Sequence, residues 1–266
     1  AGRVRFIGDA DQRIREDYLR ILRFFRFSAD YARGALDPEG FAASLRRREG
    51  LAVLSRERVR AEMLKLMPTR RVVEIVGLLC ETGLWMRLTG GLAETGRLAR
   101  AVEAGHGAVE RLAAAAVFAE EDATRLRERL RLSNGETDLF TLQARALARL
   151  RSMAGPLDTG AARALAAKAA PAVWLRALDL LAGHAPPAVL PEGRAVLAAM
   201  AEGRMPLPVF PLRGADLVAA GLPRGPEVGR VLAQARRAWL DMGAPDGEAA
   251  RDALSTTLGI RLRSEG

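Results

Sequence analysis

Apolar residues recur at helical spacing along nearly the whole chain, and this pattern constrains its fold more than any other feature. Ile14, Tyr18, Ile21 and Phe25 follow one another at intervals of four, three and four residues, which places them on one face of a helix. Signals for strands are sparse, because aromatic residues make up 5% of the chain and no long alternating run occurs. The sequence predicts an all-α protein. Further predicted helices span residues 59–67, 72–80, 108–120, 122–132, 137–153, 161–168, 173–182, 194–201 and 227–240.

The composition indicates a folded chain with a hydrophobic core and no membrane span. Of its 266 residues, 49% are hydrophobic. The longest stretch without a formal charge, residues 180–191, is shorter than the roughly 18 apolar residues that a spanning helix needs. Cys80 is the single cysteine, which excludes an intramolecular disulfide framework and fits a cytoplasmic location. Cys80 is expected in the core, His106 and His184 in surface loops, and Trp239 as a packing anchor.

Positive charge is concentrated at the amino-terminal end of the chain. The net charge is +9, and residues 1–70 contain 16 basic against 10 acidic residues. A field of this sign attracts a polyanion such as RNA. Arginine makes up 39 of the 41 basic residues, and the codon usage of a GC-rich genome also produces such an abundance. The total charge therefore does not distinguish a chain that binds a polyanion from one whose arginines reflect codon usage.

The densest cluster of charged residues follows a Gly-Asp turn near the amino terminus. On a helix, Arg13, Glu16, Arg20 and Arg23 lie three or four residues apart and Asp17 adjoins Glu16, so that one face is almost wholly ionic. This face is open to two interpretations. It is a solvated surface stabilised by ion pairs, or Asp17 and Arg20 present a hydrogen-bond acceptor and a donor side by side.

A carboxylate beside a guanidinium can distinguish nucleobases. Cytosine and adenine carry an exocyclic amine beside a ring nitrogen that accepts, whereas uracil and guanine present a carbonyl beside an N–H. A carboxylate that accepts from the amine and a guanidinium that donates to the ring nitrogen therefore fit cytosine and adenine. Uracil and guanine would leave these groups unpaired, and a site of this kind can reject a wrong substrate by roughly 10⁴ or more.

At these residues the sequence resembles the bacterial and eukaryotic type of tRNA nucleotidyltransferase, or CCA-adding enzyme, and its relative, bacterial poly(A) polymerase. In that family a Glu-Asp-x-x-Arg motif on the neck selects the nucleotide. The resemblance implies that Asp17 and Arg20 pair with the incoming base and that Glu16 holds Arg20 in place. The matching positions are Arg5, Gly8 and Asp9 in the preceding turn, Glu16, Asp17 and Arg20 in the motif, and Arg23, Arg26 and Phe27 after it. The candidates for support of the site or for phosphate contact are Glu16, Arg23, Arg13 and Arg5.

Two further segments resemble the same family. Residues 54–67 look like its next neck motif, in which Ser55 is a good helix N-cap and the role is to support the selecting helix. Residues 210–239 resemble the family's tail, which grips the distal part of tRNA. There, Gly221 is expected to close a short helix and Gly225 to precede another, whose N-terminus attracts phosphate. The tail candidates for tRNA binding are Arg213, Gly225, Arg230 and Arg236.

The resemblance also implies an elongated multi-helix arrangement of neck, body and tail. Residues 1–68 would form the neck with the nucleotide-selecting helices, residues 69–190 the helical body, and residues 191–266 the RNA-binding tail, with a frayed end after Gly243. The chain starts at Ala1 without the Gly-Ser and carboxylate pattern of the family's catalytic head. We therefore expect a segment without that head, in which no residue is catalytic and none binds metal.

The implied ligands are tRNA, CTP and ATP, with Mg²⁺ bound by the missing head. Asp9 and Asp11 form an Asp-x-Asp pattern, but they precede a helix rather than follow a strand and are not expected to hold a metal.

The intact protein would be a nucleotidyltransferase that adds CCA to tRNA, and this segment, inactive alone, would select the base and bind tRNA without contact to a membrane. A fragment of a bacterial poly(A) polymerase and a non-catalytic helical RNA-binding or scaffold module stay open as alternatives, and the oligomeric state is undetermined.

Overall fold

The computed structural model describes residues 2–181 and 187–259, and this part of the chain contains helices and no strand. The all-α prediction is confirmed. None of the helices in these two ranges is long and apolar enough to cross a membrane. The α-helices are α1 (Ala10–Glu16), α2 (Leu19–Tyr31), α3 (Pro38–Arg46), α4 (Arg56–Leu66), α5 (Val72–Glu81), α6 (Leu84–Thr89), α7 (Thr95–Glu103), α8 (Ala108–Ala116), α9 (Glu120–Leu130), α10 (Asn134–Arg151), α11 (Thr159–Ala166), α12 (Pro171–Leu181), α13 (Pro191–Ala201), α14 (Gly214–Ala219), α15 (Pro226–Asp241) and α16 (Gly247–Leu258), and a 3-10 helix spans Arg48–Val53.

The chain divides into two compact units. Among the described residues, the first unit contains residues 2–148 and 179–181, and the second contains residues 149–178 and 187–259. Two of the boundaries between these units fall inside helices, one in α10 and one in α12.

In the first unit, α2 packs against α4 and α5 through the apolar face that the sequence predicts. Of the residues on the predicted face, Ile21 and Phe25 on α2 and Ile14 on the preceding helix, α1, are at most 1% exposed. Tyr18, the fourth member, is partly buried, and its ring lies against Gly50, where an added Cβ would fall 2.0 Å from Cδ1. Burial of this face leaves the opposite side of α2 to carry the charged residues.

The second unit has its own small core, built around Trp239. This side chain is 1% exposed, its Nε1 donates a hydrogen bond to the Pro245 carbonyl at 2.8 Å, and its ring meets that of Phe210 edge to face with the centroids 5.4 Å apart. The prediction of a packing anchor is confirmed. Gly243, at φ +83°, lies so close to Gly160 that an added Cβ would fall 2.8 Å from its Cα. A side chain at Gly243 would therefore clash and would also strain the backbone.

The structure differs from the sequence-based expectations at several helices. α3, α6 and α7 lie where no helix is predicted. The expectation that the chain frays after Gly243 is wrong for Gly247–Leu258, which forms α16 because Ala250 and Leu254 are fully buried in the second core. Residues 260–266, the remainder of that expected frayed end, lie outside the described residues.

Candidate functional site

The helix expected across the charged cluster is in fact two helices, and the break falls at Asp17. α1 ends at Glu16, Asp17 has extended backbone with φ −155° and ψ 106°, and α2 begins at Leu19. The Asp17 carboxylate accounts for the break, because its Oδ1 accepts the N–H of Leu19 at 3.1 Å. This bond satisfies one of the donors that a helix start leaves unpaired. Aspartate side chains compete with helix continuation in this way.

Glu16 and Arg20 meet across the break between α1 and α2. Nη1 of Arg20 lies 2.5 Å from Oε2 of Glu16 and also donates to the carbonyl oxygen of Arg13 at 2.6 Å. Nη1 of Arg13 approaches the same Glu16 oxygen at 2.6 Å. The hydrogen bond from Arg20, together with the charge of Arg13, lowers the pKa of the Glu16 carboxyl below its ordinary value. The guanidinium of Arg20 is therefore held by two acceptors, one of them an ionised carboxylate.

Asp17 is held from another helix. Nη2 of Arg58, on α4, lies 3.1 Å from Oδ1 and 2.9 Å from Oδ2 of the Asp17 carboxylate. Ser55 is the N-cap of α4, as predicted, and its Oγ accepts the N–H of Arg58 at 3.4 Å. Sequence reasoning did not single out Arg58 as a site residue. The position of Arg58 in the second neck motif was the one signal in the sequence that could have pointed to it. Its pairing with Asp17 joins residues 41 positions apart, so no local spacing indicates it.

A pocket of about 270 Å³ lies beside this cluster. Part of its wall is aromatic, because Phe6 and Phe24 stack with their centroids 5.5 Å apart and Phe27, which is 37% exposed, also lines it. Neither Glu16 nor Asp17 is among its lining residues. The structure thus gathers four of the predicted arginines at one pocket and leaves the Asp17 carboxylate against α4. The four arginines are Arg5, Arg13, Arg20 and Arg23.

A buried carboxylate on α4 connects that helix to α2. Glu62 is 3% exposed, and its carboxylate lies 2.7 Å from Nε of Arg26 and 3.7 Å from Nε of Arg23. Lys65, one turn further along α4, approaches the same group at 3.5 Å. The guanidinium of Arg26 also lies 4.1 Å from the centroid of the Phe27 ring. Glu62 therefore orders two arginines of α2, one of which lines the pocket.

The Asp-x-Asp pattern at the start of α1 is occupied by structural contacts. Asp9 is the N-cap of α1 and accepts the N–H of Gln12 at 2.6 Å. Asp11 pairs with Arg46 and with Arg47, whose hydrogen bonds lower the pKa of the Asp11 carboxyl. In residues 2–181 and 187–259 no group of three or more His, Cys, Asp or Glu side chains is placed to hold a metal ion.

The tail candidates lie on α15 or immediately before α14 and α15, in the second unit. Arg213 is exposed, and its backbone N–H donates to the Asp216 carboxylate at 2.6 Å at the start of α14. Gly225, at φ +152°, immediately precedes α15, so both helix limits predicted here are confirmed. Arg230 pairs with Glu227, and the hydrogen bond from Arg230 lowers the pKa of the Glu227 carboxyl. Arg236 is exposed on the same helix. A groove of about 360 Å³ includes Arg213 but none of the other three.

Two minor expectations about isolated residues are wrong. Cys80 is exposed at the end of α5, because the buried face of that helix is formed by its neighbours Ile75, Val76 and Leu79. The side chain of His106 is 6% exposed and hydrogen-bonds to Asp179 at 3.0 Å. His184 lies outside the described residues.

Comparisons with known proteins find relatives whose sequences align with most of this chain. A family model described as a probable RNA and SrmB-binding site of polymerase A matches residues 35–94. Mitochondrial CCA tRNA nucleotidyltransferase 1 of Mus musculus is 30% identical over 253 residues, which cover 91% of this chain and 55% of the relative. The CCA-adding enzyme of Geobacillus thermodenitrificans is 40% identical over 98 residues, or 36% of this chain and 24% of that enzyme. This chain is a relative of the CCA-adding enzymes.

Solved structures of CCA-adding enzymes share its fold. The Bacillus stearothermophilus CCA-adding enzyme in complex with CTP matches with a TM-score of 0.66 at 22% identity, covering 96% of this chain and 66% of that one. The Thermotoga maritima CCA-adding enzyme complexed with tRNA matches with a TM-score of 0.60 at 17% identity, covering 97% and 64%. This CCA-adding enzyme relative spans about half the length, 55%, of the curated mitochondrial proteins that it matches.

Proposed function

We propose that this chain is the part of a CCA tRNA nucleotidyltransferase that selects the incoming base and holds the tRNA. The intact protein would add CCA to tRNA 3′ ends with CTP and ATP, and Mg²⁺ would be bound by a catalytic head. The mitochondrial relatives and the matching solved structures carry the names of such enzymes. The single observation that carries the proposal is the fixed pair of Asp17 and Arg20, each held by an oppositely charged side chain. For this role we keep the division into neck, body and tail at residues 1–68, 69–190 and 191–266.

The pair can act as a protein template for the base. The guanidinium of Arg20 lines the pocket and is oriented by Glu16, so its remaining N–H donors are available to a ring nitrogen. The carboxylate of Asp17 is oriented by Arg58 and is an acceptor suited to an exocyclic amine. Because both groups are held before a base arrives, little conformational entropy is lost when it binds. A base with the reversed pattern would leave a charged donor and a charged acceptor unpaired.

The arginines around the pocket suit the other end of a nucleotide. Arg5, Arg13 and Arg23 line the same pocket as Arg20, and guanidinium groups bind phosphate oxygens in a fork-like geometry. The aromatic wall offers a flat apolar surface to a base. We propose that Arg23 contacts the triphosphate and that Arg5 and Arg13 support the site. In the intact enzyme this chain would position the nucleotide, and the chemistry of transfer would be supplied elsewhere. A cytoplasmic location stays a prediction.

The experiment that tests this function is RNA binding by the 266-residue chain. We expect it to bind a tRNA that lacks its CCA end about tenfold or more tightly than a single-stranded RNA of equal length, because the tail and body would contact the folded shape. Binding is measured by fluorescence anisotropy across a salt series. Equal affinity for the two RNAs would contradict the tRNA assignment and favour a poly(A) polymerase, and absence of binding would favour a scaffold.

Reversing charge in the tail is expected to weaken tRNA binding. The double variant Arg230→Glu/Arg236→Glu removes two exposed cations from α15, and the slope of log K against log salt should fall by roughly one to two units. The control is Arg151→Glu/Arg204→Glu, which changes the net charge equally at exposed positions outside the tail candidates. If the two double variants bind tRNA alike, α15 does not lie on the RNA path.

Poly(A) polymerase stays the second candidate because one observation favours it. The family model that matches residues 35–94 is described for polymerase A. That enzyme class needs only adenine at its base-selecting site, so an intact protein that incorporates ATP but not CTP onto RNA would support this candidate against the first.

A further inference from the structure

We propose that a groove formed by Arg3, Arg5 and Arg33 binds a backbone phosphate in the single-stranded 3′ end of the RNA. This proposal rests on the proposed function and adds a site for the strand that is being extended. None of the sequence candidates except Arg5 lies there. The groove has a volume of about 590 Å³.

Two of the three arginines carry charge that the protein does not neutralise. Within residues 2–181 and 187–259, no carboxylate lies within ion-pair distance of Arg3 or Arg33, and both side chains are exposed. Arg5 has one partner, Asp37, at 2.9 Å from its Nε. Three guanidinium groups with a single carboxylate leave a local excess of positive charge. A phosphate would relieve that repulsion, and arginine is the side chain best suited to bind it.

Contacts with Gly2 position Arg33 beside the groove. The N–H of Arg33 donates to the Gly2 carbonyl at 2.9 Å and thereby ties the start of the chain to the end of α2. The stem of Arg33 packs over Gly2, where an added Cβ would fall 3.3 Å from its Cγ. Gly2 has φ +106°, a conformation that favours glycine. The stem of Arg33 is therefore positioned by local structure, and its side chain is exposed and lines the groove.

The position of the groove identifies which phosphate it would take. Arg5 lines both this groove and the pocket that contains Arg20, so the two cavities share one lining residue. In nucleotide addition the 3′ end of the RNA must lie next to the incoming nucleotide, because its terminal hydroxyl attacks the α-phosphate and pyrophosphate leaves. An RNA phosphate in this groove therefore belongs to the end of the strand and not to a distant duplex.

The test compares the double variant Arg3→Gln/Arg33→Gln with the control Arg15→Gln/Arg129→Gln. The control removes two exposed arginines that line neither cavity. Each variant of the 266-residue chain is titrated with a tRNA that ends in its single-stranded discriminator and CC nucleotides, with the same tRNA trimmed to its last base pair, and with CTP. We expect the Arg3/Arg33 variant to bind the first tRNA about tenfold more weakly than the control, with a salt slope lower by about 0.7, the value for one phosphate of a single strand. Its affinities for the trimmed tRNA and for CTP should equal those of the control.

Each other result overturns the proposal. A loss of affinity confined to CTP would assign the groove to the triphosphate, and an equal loss with both tRNAs would assign it to duplex phosphates. Identical binding of the variant and the control would mean that the groove takes no phosphate, while tRNA binding by the unaltered chain would keep the proposed function intact. Failure of the unaltered chain to bind either tRNA would overturn both proposals together.

Discussion

Replacement of Arg20 by alanine in the intact protein is expected to lower the preference for CTP over UTP by about two orders of magnitude or more, since discrimination of this kind comes from unpaired polar groups in the wrong complex. Arg20 supplies the charged donor of the proposed template, and Glu16 and the Arg13 carbonyl hold it in place. Asp17→Ala removes the charged acceptor and should have a similar effect. The measurement is kcat/KM for each nucleotide with a tRNA that lacks its CCA end.

Arg15→Ala is the matched control for this experiment. Arg15 is an exposed arginine on α1 that does not line the pocket, so its loss should leave the nucleotide preference unchanged. The tRNA affinity of the Arg20 variant should also stay close to that of the unaltered protein, because Arg20 is not among the proposed tRNA contacts. A CTP to UTP ratio that is the same in the Arg20 and Arg15 variants would refute the assignment of the template.

The second large effect is on stability and concerns Glu62. Glu62→Gln keeps the shape of the side chain but leaves Arg26 without its carboxylate partner in a buried position. Removing one member of a buried ion pair costs about 3–5 kcal/mol, and Arg26 is partly solvated, so we expect a loss of about 3 kcal/mol in the free energy of unfolding of the first unit. Urea denaturation followed by circular dichroism measures it.

Glu57→Gln is the control that tests whether the loss of stability expected for Glu62→Gln comes from the burial of Glu62. Glu57 lies on the same helix, α4, but its side chain is 65% exposed. Its carboxylate comes no closer than 3.9 Å to the guanidinium of Arg131. Exposed pairs of this kind contribute about 0–1 kcal/mol, so this variant should unfold almost as the unaltered chain does. Equal destabilisation by the two substitutions would show that the buried pair on α4 is not what stabilises α2.

The sequence predicted the features that depend on periodicity and local capping. The helical class, the buried face through Ile14 and Phe25, the Ser55 cap and the limits of α14 and α15 all follow from residues a few positions apart. These are short-range properties, in which spacing and side-chain chemistry decide the outcome.

The features that escaped prediction depend on choices between competing interactions or on distant parts of the chain. The break at Asp17 arises because its side chain caps α2 instead of continuing α1, and both outcomes are compatible with the same helical spacing. The partner of Asp17, Arg58, lies 41 residues away. α16 was missed because its stability comes from burial of Ala250 and Leu254 in the second core rather than from a strong local signal.

The contacts of Asp17 limit how many further donors it can accept. An ionised carboxylate offers about four lone-pair directions, two on each oxygen. Oδ1 already accepts from the Leu19 N–H and from Arg58, and Oδ2 accepts from Arg58, so one direction is left, on Oδ2. That single vacancy matches the one N–H that an exocyclic amine directs along the Watson–Crick edge of cytosine or adenine. The Asp17 carboxylate, which accepts the first N–H of α2, is therefore left by its protein contacts as an acceptor for one further hydrogen.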